Sequence, residues 1–272
     1  MTATYYDAPL LTRPVWTWEV PLYFFVGGAA GGAAVIASVA AWTGADGTLA
    51  RDAKWIAAAG GPISAALLTT DLGRPERFVN MLRVFKPQSA MSVGSWTLTA
   101  FSASSAAALV PAASRLAAPS SAVLGAAMIT YTGVLIGATA IPVWNENVRM
   151  LPIHFAASGM ASAAALLTLA GHDDPALNDI AIGAAAVETF IGAAIEARRS
   201  PALAPLKEGA SGWVIRAGGL LSGPVPLLCR TLGRGPAWRR VASVSALAGS
   251  ILTRIGWIAA GRASAETPRP SA

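Results

Sequence analysis

Apolar residues fall along this chain in eight runs, at 21–42, 55–70, 91–110, 120–143, 150–170, 177–196, 212–232 and 241–260. Short polar stretches rich in Arg, Asp and Pro separate them. A helix that crosses a membrane needs about 20 such residues. The pattern therefore predicts an all-α integral membrane protein, a bundle of eight transmembrane helices forming one domain over residues 1–272. The second run is short and ends in Thr69-Thr70-Asp71. The seventh is interrupted by Gly223-Pro224 and Pro226, which predicts a kink or a break. Eight crossings place both termini on one side, called side A, together with the loops at 71–90, 144–149 and 197–211.

The stretch between the second and third runs has a pattern of its own. It carries the cations Arg74, Arg77, Arg83 and Lys86, and it sets Phe78, Met81, Leu82 and Phe85 at helical spacing. That predicts a short amphipathic surface helix between spans two and three. Its cations and Phe78 can serve as a lipid-headgroup contact or as a docking surface for a soluble partner.

Composition sharpens the class. Of 272 residues, 54% are hydrophobic and 12% charged, against about 25% charged in soluble domains. The net charge of +6 comes from Arg in short loops, which suits membrane lipid and not nucleic acid. The single Cys229 cannot hold an iron–sulfur cluster, a structural zinc or an internal disulfide, so no metal site is expected. Asp7, Arg13, Glu19 and two prolines precede the first run, which does not read as a cleavable signal peptide. Lys and Arg outside the spans favour a cytoplasmic side A only through the 71–90 loop. Without that loop the two sides balance, so the orientation stays open.

Polar groups crowd the side-A ends of the spans. Glu19 and Tyr23 open span one, and Asp71 and Arg74 close span two. Trp144, Asn145 and Glu146 close span four, His154 lies early in span five, and Glu196 ends span six. Arg216 enters span seven, and Arg254 lies in the A-half of span eight. Charges at membrane depth are expensive and tend to face a bundle interior, so these residues point to a polar pocket opening to side A. Some of them can instead snorkel to the interface. Tyr131 in mid-span either lines the pocket or bonds a neighbouring helix. Glu188 lies near the midplane, as an interhelical hydrogen-bonding group or part of a proton path with Arg254. The B-halves offer few acceptors, which favours proton exchange with side A alone.

Two further patterns narrow the choice. His154 and His172 lie 18 residues apart at opposite ends of span five, about 27 Å along a helix. They cannot ligate one haem. The run Gly27-Gly28-Ala29-Ala30-Gly31-Gly32 overlays two G-x-x-x-G patterns inside an apolar span, which predicts close helix packing and not a dinucleotide site.

Several segments together resemble the NrfD/polysulfide reductase membrane-subunit family. They are Trp18-Glu19-Val20-Pro21-Leu22-Tyr23-Phe24-Phe25 running into the glycines, Asp71-Leu72-Gly73-Arg74-Pro75 with Arg77-Phe78 and Asn80-Met81-Leu82-Arg83, and Met91-Ser92-Val93-Gly94-Ser95-Trp96. Tyr131-Thr132-Gly133-Val134 through Ala140-Ile141-Pro142-Val143-Trp144-Asn145 follows, then Arg254 with Ala260-Gly261. The resemblance implies an eight-helix subunit without haem in a bacterial inner membrane. It implies a docked four-cluster ferredoxin-like iron–sulfur subunit, a molybdopterin catalytic subunit beyond it, and electron exchange with menaquinone or ubiquinone. Some members carry His where Tyr23 aligns; Tyr can bond a quinone carbonyl but is a poor proton carrier at neutral pH. On this reading Tyr23 and His154 bond the quinone carbonyls, with Tyr131 lining the site. Glu19 and Asp71 move protons, and Arg74 pairs with Asp71. The competing classes are a proton channel or transporter built on Glu188, Arg216 and Arg254, and a purely structural anchor.

Overall fold

A computed structural model describes residue 11, residues 13–74 and residues 76–266. Pro75 of the loop motif and Asp7 lie outside the described residues. Every regular element among the described residues is helical: α1 (Glu19–Thr43), α2 (Gly47–Asp71), α3 (Glu76–Met81), α4 (Ala90–Ala107), α5 (Pro111–Gly137), α6 (Pro142–Asn145), α7 (Met150–Leu169), α8 (Pro175–Ala197), α9 (Ala204–Lys207, preceded by a 3-10 turn at Pro201–Leu203), α10 (Gly209–Ser222), α11 (Pro224–Thr231) and α12 (Pro236–Glu266).

Five of these, α1, α5, α7, α8 and α12, are long and apolar enough to cross a membrane. The other three expected spans form helices that fall short of that mark. In α2 the apolar stretch is diluted by Arg51, Asp52 and Lys54, and in α4 by serines. The seventh run is divided at Gly223 into α10 and α11, because Pro224 and Pro226 cannot donate the backbone bonds that would continue α10.

Proline also resets two expected boundaries. Span four ends at Gly137 and not at 143, since Ile141 before Pro142 is extended (φ −69°, ψ 122°) and α6 starts a separate turn. Val110 before Pro111 is likewise extended, so α4 stops at Ala107. The surface helix α3 is six residues long. It half-buries Phe78 and Met81, while Phe85 lies beyond it, exposed and edge-on to Trp96 at 6.3 Å. Arg74, Arg77, Arg83 and Lys86 are exposed.

The helices form two groups of packed neighbours, α1/α2/α4/α5 and α7/α8/α10–α11/α12, joined where α1 and α5 meet α7. The glycine run makes that junction. A Cβ at Gly31 would lie 2.6 Å from the Gly125 carbonyl oxygen on α5, and one at Gly32 would lie 2.8 Å from the Gly159 carbonyl oxygen on α7. The two overlaid G-x-x-x-G patterns thus serve two different neighbours from one helix. Exposed tryptophans mark both ends of the bundle: Trp18, Trp96 and Trp213 at side A, and Trp42, Trp55 and Trp238 at side B. Such aromatic belts sit at the two membrane–water interfaces.

Candidate functional site

The ionisable core lies in the second helix group. His154 is in the second turn of α7, and its Nε2 lies 3.0 Å from Glu188 Oε2 on α8. Ser222, the last residue of α10 before the break, donates to the same carboxylate oxygen at 2.7 Å. Trp257 on α12 donates its indole N–H to His154 Nδ1 at 3.3 Å. An indole N–H is a donor only, so Nδ1 must be the acceptor and the imidazole proton sits on Nε2. The Nε2–H of His154 therefore donates to Glu188 Oε2. Oε2 is held by two donors, while Oε1 is buried and has no partner among the described residues.

His154, Glu188 and Trp257 line a cavity of about 370 Å³ bounded by α7, α8, α10, α11 and α12. Its remaining wall is mostly apolar, including Ile195, Ile215, Leu220 and Pro224, with Glu196 and Arg216 also lining it. Those two form a bidentate pair at 2.7 and 3.0 Å, where the sequence placed them at the side-A ends of two spans.

Arg254 is buried one turn from Trp257. Its Nη1 donates to Ser158 Oγ at 2.8 Å and to the Ser250 carbonyl at 3.0 Å, and Ser162 Oγ bonds Ser250 Oγ at 2.9 Å. The guanidinium lies over the Phe155 ring at 5.2 Å and near Gly28, where a Cβ would stand 3.0 Å from Nη2. Glu188 and Arg254 form no ion pair among the described residues. Glu188 takes His154 as its close partner, and Arg254 reaches hydroxyls and aromatic faces instead.

The predicted quinone residues separate into three places. At the side-A ends of α1 and α2, Thr17 donates its backbone N–H to Asp71 Oδ1 at 3.3 Å, and its hydroxyl lies against both Asp71 and Glu19. Among the described residues Asp71 forms no ion pair with Arg74, so that expected pairing is corrected. Tyr23 and Tyr131 are buried in the first helix group. The Tyr23 ring packs on Phe24 at 5.5 Å, and the Tyr131 hydroxyl donates to the Ala90 carbonyl at the start of α4. His154 alone reaches the cavity. His172, past the end of α7, bonds Asp52 at 3.0 Å, so each imidazole has its own carboxylate at its own end of that helix.

Sequence reasoning passed over Trp257, Ser222, Ser158 and Ser250. The signal for the serines was their spacing: Ser158 and Ser162, and Ser250 and Arg254, stand four residues apart on one face of their helices. Ser64 was also missed. Its buried hydroxyl and that of Thr132 lack partners among the described residues, and Ser64 and Tyr23 both flank Gly27.

An all-helical bundle with apolar crossing helices, aromatic belts and a buried ionisable core defines a multi-pass membrane protein. The chain matches a family model described as polysulfide reductase over residues 1–266, and it belongs to the NrfD/polysulfide reductase family of membrane subunits of respiratory oxidoreductases. A comparison with curated proteins gives no match.

Proposed function

We propose that this chain is the quinone-reactive subunit of its complex, exchanging electrons between a menaquinone or ubiquinone pool and an iron–sulfur subunit docked on the exposed cations of the Arg74–Lys86 loop. A molybdopterin catalytic subunit lies beyond that partner. With α2, α4 and the broken α10–α11 counted as crossings, the chain spans a bacterial inner membrane eight times with both ends on side A.

The observation that carries the quinone reading is the cavity beside Glu188. A quinone supplies the two-electron chemistry and takes up or releases two protons. The apolar wall suits its ring, and the Glu188 carboxylate beside it has an oxygen, Oε1, that is buried without a partner among the described residues. His154 and Ser222 fix Oε2, so proton exchange with the cavity falls to Oε1. Trp257 holds His154 in the tautomer that donates to the carboxylate. His154 is thereby a positioning residue, and Glu188 is the proton-transfer group.

A second reading places the head group at Tyr23 and Tyr131, with Glu19 and Asp71 at its mouth. The partnerless hydroxyls of Ser64 and Thr132 favour it. Quinone kinetics of the purified complex separate the two. On the first reading Glu188→Gln lowers turnover by about 10²-fold or more, the range for loss of a general acid–base group, while Tyr23→Phe stays close to wild type. The reverse pattern moves the head group to the tyrosines, and wild-type kinetics in both variants reject both sites.

A further inference from the structure

A second and larger cavity, about 790 Å³, opens at the side-A end of the bundle between α6, α9, the start of α10 and the end of α12. Among the described residues it shares no lining residue with the Glu188 cavity. Most of its wall is proline and alanine. Three features set into that wall carry charge.

The first is Arg262, half-buried on the last turns of α12. Its Nε is fully buried, and the side chain has neither a hydrogen bond nor an ion pair among the described residues. An unpaired cation in an apolar cavity wall is a costly arrangement unless an anion completes it. The second is the N-terminus of α10, a 14-residue helix with no side-chain cap. The bond to the Glu208 carbonyl comes from Gly212 N, which leaves the N–H groups of Gly209, Ala210 and Ser211, residues that line the cavity, without acceptors among the described residues. Helix N-termini and arginine are the two donors that proteins most readily combine around phosphate. The third is Glu208, exposed at the same rim and likewise without a side-chain partner among the described residues, whereas the other carboxylate, Glu266, is taken up by Arg13 at 3.0 Å.

Among the described residues, a free cation, an uncapped helix start and a free carboxylate on an apolar wall describe a zwitterion with a greasy body. Depth agrees. Trp213, two residues beyond Ser211, is exposed at the aromatic belt where headgroups lie.

We propose that this cavity is a binding site for an amine-bearing phospholipid. The phosphodiester is held by Arg262 and the first N–H groups of α10, the primary ammonium is held by the Glu208 carboxylate, and the acyl chains run down the proline–alanine wall. A purely anionic lipid meets Glu208 as a like charge. A choline headgroup brings a cation that cannot donate a hydrogen bond to it. The site therefore selects a primary amine. This inference is independent of where the quinone binds.

The test is native mass spectrometry of the full chain, titrated with phosphatidylethanolamine, phosphatidylglycerol and phosphatidylcholine of identical acyl chains. Wild type is expected to bind the ethanolamine lipid about tenfold more tightly than either competitor, the scale of one hydrogen bond to a charged group. Arg262→Gln should weaken all three. Glu208→Gln should erase the preference while leaving phosphatidylglycerol bound. Equal binding of the three lipids by wild type overturns the proposal whatever the variants do. So does a preference for phosphatidylglycerol, or an Arg262→Gln variant that binds as wild type does.

Discussion

The two helix groups bury polar groups in opposite ways. In α1/α2/α4/α5 the buried polar side chains among the described residues are neutral hydroxyls, among them Tyr23, Ser64, Tyr131 and Thr132, set among glycine contacts too close for any Cβ. In α7/α8/α10–α11/α12 the core holds His154, Glu188 and Arg254, and it encloses a cavity. The difference follows the helix break. In the first group, continuous helices meet at glycine contacts, Gly31 on Gly125 within the group and Gly32 on Gly159 where it joins α7. The break at Gly223 between α10 and α11 puts Ser222 at Glu188 and lies beside the cavity. Charge and cavity occur together because a helix that stops in mid-core supplies both the space and the hydrogen-bond donor that a buried carboxylate needs.

The largest test of this contrast removes one member of the hydrogen-bonded His154–Glu188 pair. His154→Ala leaves Glu188 buried with Ser222 as its remaining donor, and should destabilise by about 3–5 kcal/mol. Adding Glu188→Ala should recover much of that loss, which a double-mutant cycle on thermal unfolding in detergent would measure. If the double variant is no more stable than His154→Ala, the charge is not what the second group is built around.

In the first group the sensitive feature is contact distance. Gly32→Leu drives a side chain into the Gly159 carbonyl and should cost about 1–3 kcal/mol or more. A folded yield and melting temperature equal to wild type would show that the helices have room to separate. A much smaller effect is expected at Ser64. Its hydroxyl has no partner among the described residues, so Ser64→Ala should change stability by no more than about 0.5 kcal/mol or raise it slightly. A large loss would reveal a bonding partner, and with it a polar site beside Tyr23.

The smallest effect concerns the tie between the groups at side B. Asp52 on α2 accepts from His172, which follows α7, and from Arg51; these bonds hold its carboxyl below the ordinary range, the His172 bond most strongly. A depressed carboxyl contributes stability that is fully present above its unfolded value of about 3.9 and is lost as pH falls through the folded value. Wild type should therefore lose slightly more melting temperature than Asp52→Asn between neutral pH and pH 3. Parallel curves for the two proteins would remove the tie from the account.

The sequence made the long helices legible because apolar periodicity and proline placement are local. Runs one, five, six and eight reappear as α1, α7, α8 and α12, and the break at Gly223-Pro224 falls where the prolines put it. His154, Glu188 and Arg254 each stood out as ionisable groups at membrane depth. Their partners did not. Glu188 meets His154 across 34 residues and Ser222 across another 34, and no spacing within one helix reports which neighbour it faces. Trp257 reads as an apolar residue until its indole N–H is seen at His154. The tyrosines failed differently: depth put Tyr23 with His154, but depth along the membrane normal does not say which side of the bundle a residue occupies.

The double-sided glycine face of α1 also sets a timetable for making the protein. α1 leaves the ribosome before either partner, yet one of its grooves is filled by α5 and the other by α7, which is made later still and closes over Gly32. Until then a membrane-inserted α1 carries an open notch of backbone carbonyls, a recognisable mark of an unfinished chain. Nascent chains halted before α7 should be the forms that membrane quality-control proteases clear, and those halted just after it the first to survive.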